Sequence, residues 1–204
     1  MTFDRRATVV RILLLIVAPI VLVAILRPWT VRPIEDNKPA VFDASTFASS
    51  AWPRLVRESA HTATDVSEIA TTVGTSPTSA RIVKGTGVVS AIDRRSRVGV
   101  MLVHVAGTKK SIVAIQIGPV IRGTALRDAS GFIHFSDFTN QSDYAAAANA
   151  LNDAALRTVI EPLALDTLQG RTVAFAGAIG KSAPREDSAI EIVPLRLELA
   201  EASK

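Results

Sequence analysis

The chain has 204 residues, 48% of them hydrophobic, which suits one domain with a core, or one domain and an appendage. Its formal net charge of +4 lies entirely in residues 1–32, which hold five of the 23 Lys and Arg residues and one of the 19 Asp and Glu residues, so that residues 33–204 are neutral. This balance excludes a broad basic field for collecting nucleic acid phosphates, and the absence of cysteine excludes disulfides, thiolate catalysis, cysteine-ligated metals and lipid attachment through a cysteine.

The N-terminal region predicts a membrane anchor. Residues 12–26 are fifteen apolar residues without a charge, and the apolar stretch extends back to residue 7 with only Arg11 interrupting it. Arginines before the stretch favour a cytoplasmic N-terminus, and Trp29 after it suits the headgroup region. We therefore expect a cytoplasmic tail at 1–6, an uncleaved transmembrane signal-anchor at 7–26 and a periplasmic C-terminal part. A cleaved signal peptide and a buried core helix are the alternatives.

Two segments connect the anchor to the main domain. Residues 27–42 contain three prolines without a hydrophobic period, which predicts a stiff extended spacer. Residues 43–73 carry apolar side chains at helical spacing and predict a helical segment, with Asp43 or Ser45 as its N-cap. Pro53 predicts a kink in this helix or the start of a second one.

The C-terminal part changes to the period of β-strands. Short β-branched runs at 84–91, 97–105 and 111–117 predict a three-stranded meander, residues 142–160 predict an alanine-rich helix, and 165–180 and 189–199 predict two more strands. This order predicts an α+β fold, an OB-like five-stranded barrel at 82–199 with a helix between strands 3 and 4. We expect the helical segment to pack outside the barrel or across one mouth. An open five-stranded sheet with flanking helices is the alternative.

The short motifs of the chain match known functional motifs weakly. GAIGKS at 177–182 lacks the first glycine and the following helix of a phosphate-binding loop, so it predicts a hairpin turn. GTG at 85–87 predicts a bulge or a barrel corner. No histidine has a second ligand at metal-binding spacing, and His134 and Asp137 would lie on opposite faces of an extended segment. The sequence therefore predicts neither a metal, a cofactor nor a catalytic group.

The segment at 118–141, GPVIRGTALRDASGFIHFSDFTNQ, is unusually polar for its position between a strand and a helix. As a structural loop, it would use its three phenylalanines to plug the barrel, an Arg–Asp bridge and amides to satisfy backbone groups, and Asp137 or Thr139 to cap the helix. As a functional loop, it would bind a ligand or partner. The candidate contact residues are Arg122, Thr124, Arg127, Asp128, Asp137, Asn140 and Gln141.

The stretch IQIGPVIRGTALRDASGFIHFSDFTNQSDYAAAANALN resembles an uncharacterised bacterial family of predicted periplasmic lipoproteins, a domain-of-unknown-function family. FDASTFASSAWPRLV, VKGTGVV, LQGRTVAFAGAI and IEIVPLRLEL extend the resemblance over most of residues 41–197. It implies an exported, membrane-tethered, OB-like protein with a role around sugar ABC transporters, and it implies no catalytic residues. The chain departs from the family label because it has no cysteine for a lipid, so the apolar helix must provide the tether.

We therefore expect a non-enzymatic, single-pass inner-membrane protein whose periplasmic domain is a binding or accessory module. Its expected partners are the inner membrane and components of a sugar ABC transporter. A periplasmic hydrolase that uses Asp128 or Asp137 as general base is the first alternative. The second is an oligonucleotide-binding module, which the lack of Phe, Tyr and Trp in residues 84–117 disfavours.

Overall fold

The structure, a computed structural model, describes residues 41–71, 79–105, 112–181 and 189–200. The chain divides into two units, Met1–Val41 and Phe42–Lys204. The predicted tail at 1–6, the anchor at 7–26 and all but the last two residues of the spacer lie outside the described residues. Within the described ranges, no helix has the length and apolar character that crossing a membrane requires.

The second unit contains strands, α-helices and short helical turns. The α-helices are α1 (Ala44–Thr62), α2 (Val66–Thr71), α3 (Ala125–Asp128) and α4 (Gln141–Ala155). The strands are β1 (Thr64–Asp65), β2 (Arg81–Asp93), β3 (Val100–Val105), β4 (Ile112–Gln116), β5 (Thr172–Ile179) and β6 (Ile190–Leu199). Phe135–Asp137 and Leu165–Thr167 form 3-10 turns, and Leu156–Ile160 continues α4 as a π-helical turn.

A closed five-stranded barrel forms because β2 is long enough to pair on both sides. Its first part, 81–88, pairs antiparallel with β5, and its second part, 87–93, pairs antiparallel with β3. The remaining pairs are antiparallel β3–β4, parallel β4–β6 and antiparallel β5–β6, so the sheet closes on itself. The prediction of a barrel is confirmed, and the open-sheet alternative is wrong.

Gly87 lies where β2 exchanges one partner strand for the other. A Cβ built there would overlap the backbone carbonyl oxygen of His104 on β3. Because no side chain fits at this crossing, glycine is required for barrel closure. Of the two predictions for GTG, the bulge is wrong, since the register shift of β2 lies between Val89 and Ala91, whereas the exchange of partner strands at Gly87 agrees with a barrel corner.

Two cores lie on opposite sides of the barrel wall. The interior holds mostly β-branched strand residues, together with Val66 of α2 and Val159 and Ile160 of the π-helical turn. The second core lies outside, where α1 and α4 pack on each other and on β6. The expectation that the N-terminal helix packs outside the barrel is therefore confirmed.

Helix α1 runs unbroken through Pro53. It begins after Asp43, whose carboxylate accepts hydrogen bonds from the backbone N–H groups of Ser45 and Thr46 at 2.9 and 3.1 Å. These bonds satisfy donors that the first turn leaves free. The prediction of Asp43 as N-cap is confirmed, whereas the predicted kink does not divide the helix.

The strand pairing shows where GAIGKS lies in the fold. Its first residues, 177–179, are the last residues of β5, which pairs antiparallel with β6, and the pair Ala178–Val193 is the one nearest to the connection between the two strands. The segment therefore connects two neighbouring antiparallel strands, as the hairpin prediction requires.

Candidate functional site

Arg127 holds the loop at 118–141 to α4. Its residue exposure is only 8%, and its guanidinium donates to the Asp128 carboxylate at 2.7–2.8 Å and to the Tyr144 backbone carbonyl at 3.0 Å. The guanidinium also lies 3.5 Å from the centroid of the Tyr144 ring. Because these contacts use both the N–H donors and the flat face of the guanidinium, Arg127 has a structural role and links the loop to α4.

The other polar residues of the loop also bind the loop itself. The Thr124 hydroxyl donates to Asp128 at 2.6 Å, and the Asp137 carboxylate accepts from the His134 backbone N–H at 2.9 Å. Residues 135–137 form a 3-10 turn, so the prediction that His134 and Asp137 lie on opposite faces of an extended segment is wrong. The charged groups of the loop thus stabilise its own turns.

The two ends of the loop have separate anchors. At the start, the buried Gln116 side chain accepts from the Arg122 backbone N–H at 2.7 Å, while the Arg122 side chain is exposed. At the end, Asn140 is the N-cap of α4, because its side-chain oxygen accepts from the Asp143 backbone N–H at 2.9 Å. The prediction of Asp137 or Thr139 as cap is wrong. Gln141 follows as the first, exposed residue of α4.

The phenylalanines of the loop do not plug the barrel. Phe132 and Phe138 pack partly buried against the second core outside the barrel, and Phe135 is 54% exposed. The barrel interior is filled instead by residues such as Leu165, Leu168 and Phe175. The physical reason is that α3 and the 3-10 turn carry the loop along α1 and α4, which keeps its rings in the outer layer.

A groove beside α1 is an open site in the described part of the chain. It has a volume of about 1180 Å³ and runs between α1, the outer face of β2, β5 and β6, and the π-helical turn. This volume lies slightly above the usual range for small-molecule pockets. None of the seven loop residues predicted from the sequence lines it.

The floor of the groove is made by two alanines on the middle strand. Ala176 on β5 pairs with Lys84 on β2 and with Arg196 on β6. Two residues earlier on the same face of β5, Ala174 pairs with Thr86 and Glu198. Two strand spacings separate the side walls by roughly 10 Å. Small residues between long polar ones therefore produce a trough.

One face of α1, together with Ala63 directly after the helix, lines the trough. Trp52, Val56, Ser59 and Ala63 recur at intervals of three and four residues, which places them on one side of the helix. The Trp52 side chain is half-buried and reaches both cores, so its indole is held in place.

Thr158 and Val159 of the π-helical turn also line the groove. The Glu161 backbone N–H donates to the Leu156 carbonyl at 2.9 Å, the wide spacing that defines this turn. Turns of this kind occur frequently at functional sites.

The groove presents ionised groups of both signs. Arg196 and Glu198 make two parallel 2.7 Å hydrogen bonds, and Arg196 lowers the pKa of Glu198. Hydrogen bonds from Ser67 lower the pKa of Asp65, with a smaller contribution from the charge of Lys84. Both carboxylates are therefore charged at neutral pH.

Sequence reasoning missed the groove because its lining residues show no spacing that is typical of a binding or catalytic site. The available signal was the alternation in TVAFAGA at 172–178, where small residues occupy the face of β5 opposite Phe175. That alternation indicates that β5 carries only small side chains on its outer face. It does not indicate that a distant helix, α1, stands beside it.

A protein-family match covers most of the chain. The family of predicted periplasmic lipoproteins, domain of unknown function 2291, matches residues 19–198. The chain belongs to this family. The predicted resemblance is thereby confirmed, and the family match covers both the groove and the loop. The family description places its members in the periplasm as predicted lipoproteins.

A solved structure shares the fold of this family member. It is the crystal structure of an OB-fold protein from Thermotoga maritima, with a TM-score of 0.62 and 23% sequence identity. The alignment covers 78% of this chain and 99% of that one. At this identity the likeness shows the OB fold alone. No curated protein matches the chain.

Proposed function

We propose that the protein is a periplasmic binding and accessory module, tethered to the inner membrane, that holds a ligand in the groove beside α1. The observation that carries this proposal is the trough itself, with a floor of Ala174 and Ala176, polar walls and a fixed indole at its side. Pockets that combine an apolar surface with a few placed polar groups are the usual sites of small-ligand binding.

The ligand class that suits this lining is a neutral sugar. Sugars carry apolar C–H faces and many hydroxyl groups, which match a flat indole and ionised hydrogen-bonding side chains. In the groove, Trp52 supplies the former and Lys84 and Glu198 supply the latter. Together with the sugar-transporter association that the sequence resemblance implies, this chemistry supports an accessory role in carbohydrate uptake.

The tether in this proposal is the apolar segment at 7–26, because the chain has no cysteine to carry a lipid. The absence of cysteine also provides a clean test. In Lys181→Cys, an exposed position of the domain, a membrane-impermeant maleimide added to spheroplasts should label the protein. In Thr2→Cys it should label only after the membrane is opened. Labelling of Thr2→Cys in intact spheroplasts would contradict the topology.

The hydrolase alternative lacks a comparable observation. Asp128 is bound by Arg127 and Thr124, and Asp137 is bound by the His134 backbone N–H. Neither carboxylate lines the groove. We therefore place ligand binding, and no reaction step, at the centre of the proposal.

Intrinsic fluorescence tests the binding proposal directly. The chain has two tryptophans, so Trp29→Phe in the full chain leaves Trp52 as the only indole. Titration with a panel of neutral mono- and oligosaccharides should give a saturable change in the Trp52 emission for at least one of them. Ala174→Leu fills the trough and should weaken that binding at least about tenfold, which corresponds to about 1.4 kcal/mol.

The matched control is Ala145→Leu, which adds the same side chain at an exposed position of α4 outside the groove. It should bind like the parent chain. Normal affinity of Ala174→Leu, or no emission change with any saccharide at millimolar concentration, would refute the proposed site or ligand class.

A further inference from the structure

Phe135 is an exposed aromatic ring outside the groove. Its residue exposure is 54%, and it is the only aromatic among the large hydrophobic residues that are exposed in the described ranges. Exposed apolar residues are common when they are scattered and need no explanation. Phe135 differs because the domain holds it in one position.

A chain of ring contacts fixes Phe135. Its ring meets Tyr144 edge-on at a centroid distance of 5.4 Å, and Tyr144 meets Phe138 at 5.2 Å. Phe138 in turn contacts Phe42 at 5.3 Å and Phe47 on α1 at 5.4 Å. A ring held in this way loses little conformational entropy when a partner covers it.

The backbone under Phe135 is equally constrained. The 3-10 turn is closed by the bond from the Phe138 backbone N–H to the Phe135 carbonyl at 3.1 Å. The Asp137 carboxylate ties back to the His134 N–H at 2.9 Å. The ring is thus presented on a preformed turn, so a partner would pay little to order it.

The charge around this ring is negative. Asp137 belongs to the same turn, and Asp143 precedes Tyr144 on the first turn of α4. Nearby, the charge of Asp128 is balanced by Arg127, whose guanidinium is buried beneath the Tyr144 ring. Within the described residues, neither Asp137 nor Asp143 forms an ion pair.

We propose that Phe135, Asp137, Asp143 and Tyr144, the Phe135 face, dock a segment of another protein that carries Arg or Lys beside an apolar residue. The apolar residue would cover the Phe135 ring, and the cation would meet the carboxylates. Complementary charge of this kind directs partner choice and orientation. The Phe135 face is separate from the groove and does not depend on what the groove binds.

Charge also decides between the possible occupants. A second copy of the chain would bring the same carboxylates against each other, and a surface of anionic lipid would be repelled by them. A basic protein segment has the opposite sign. Tyr144 already accepts a guanidinium on one face, 3.5 Å from its ring centroid, so the aromatic rings here suit cationic neighbours.

Site-specific photo-crosslinking in the full chain, in its native membrane, tests this proposal. A benzoylphenylalanine replaces Phe135 in one strain and replaces Val88, 45% exposed on β2, in the control strain. We expect a protein adduct from position 135 and not from position 88. We also expect the crosslinked peptide to contain Arg or Lys within a few residues of the attachment point.

Charge removal supplies the second readout. Asp137→Asn with Asp143→Asn keeps the hydrogen-bond acceptors of both turns but removes both charges, so the domain should melt normally. The adduct yield should fall at least about threefold, and added salt should lower the yield of the parent chain similarly. Ala174→Leu should not change the yield.

Three results would overturn the proposal. These are an adduct only with lipid or with a second copy of the chain, an adduct whose crosslinked peptide has no basic residue, and a yield that does not respond to removal of the two charges. Failure here would leave the fluorescence test of the groove unaffected, and the reverse also holds.

Discussion

The loop at 118–141 and the groove beside α1 are both rich in polar groups, but they use them in opposite ways. In the loop, Arg127, Asp128 and Asn140 bind partners within the domain. In the groove, Lys84 and Thr86 stand as exposed wall residues beside small floor residues, and Arg196 and Glu198 of the described wall bind each other. A conspicuous polar motif can therefore serve to stabilise a long loop that packs against its own domain, and it need not be a binding site.

The physical cause lies in the backbone of the loop. A long connection that packs against a domain must find a hydrogen-bond partner for each N–H and C=O group that it removes from water. Short polar side chains and a buried arginine provide those partners, which makes the segment distinctive in sequence. A binding groove needs groups that remain free for a ligand, and ordinary surface residues supply them.

The largest expected effect is that of Arg127→Ala. It removes a nearly buried cation, the side-chain donor to the Tyr144 carbonyl and the ion-pair partner of Asp128. Because Asp128 is about one-third exposed, the loss lies at the low end for a buried pair, about 3 kcal/mol of unfolding free energy. Urea denaturation would measure it.

Arg122→Ala is the matched control for that measurement. The Arg122 side chain is exposed, and the loop uses only its backbone groups, so the change should stay within about 0.5 kcal/mol. Equal unfolding free energies of the two variants would contradict the contrast between loop and groove, because Arg127 would then contribute no more to stability than the exposed Arg122.

Asn140→Ala should have an intermediate effect. The substitution removes the acceptor for the Asp143 N–H at the start of α4, and an N-cap of this type contributes about 1 kcal/mol. The unfolding free energy should fall by that amount, while Gln141→Ala, one residue later and exposed, should change little. An unchanged midpoint for Asn140→Ala would show that another group caps this helix.

The N-terminal cap of α1, the helix beside the groove, should respond to acid. Hydrogen bonds from Thr46 and Ser45 lower the pKa of Asp43 to about 2, below its ordinary 3.8. A depressed folded-state pKa adds stability above the unfolded value, and this stability is lost as pH falls from about 4 towards 2. NMR titration of the Asp43 carboxyl should show the low pKa.

Asp43→Asn keeps a cap acceptor but removes the titration, so its stability should fall less steeply over the same pH range. Asp93, whose pKa Arg95 also lowers to about 2, contributes to the slope that remains in both proteins, as do Asp65 and Glu198, whose pKa values are lowered too. Identical acid profiles for the parent and Asp43→Asn would show that the Asp43 cap does not hold α1 in solution.

The smallest expected effect on stability is that of Ala174→Leu. Ala174 faces the open trough, so a larger side chain meets solvent space and should change the unfolding free energy by no more than about 0.5 kcal/mol. Its expected effect is on ligand affinity alone. A strong destabilisation would mean that the trough is filled by protein in solution.

The order of helices and strands follows from the local pattern of the chain. The alternating patterns of 81–93 and 172–179 favour strands, and the alanine-rich run after Asn140 favours a helix. Three strands, a helix and two strands were therefore readable as an OB-like barrel. The Arg–Asp bridge of the loop was readable too, because its two residues are adjacent in sequence.

Tertiary structure alone decided the remaining features. The closing pair of β2 with β5 joins residues about ninety positions apart, and the trough exists only because α1 stands beside that pair. The destination of Phe132, Phe135 and Phe138 was likewise undecided, since apolar rings suit either core and only the path of the loop selects one. Local periodicity records which face of an element is apolar, whereas a site between elements depends on long-range packing that no short stretch encodes.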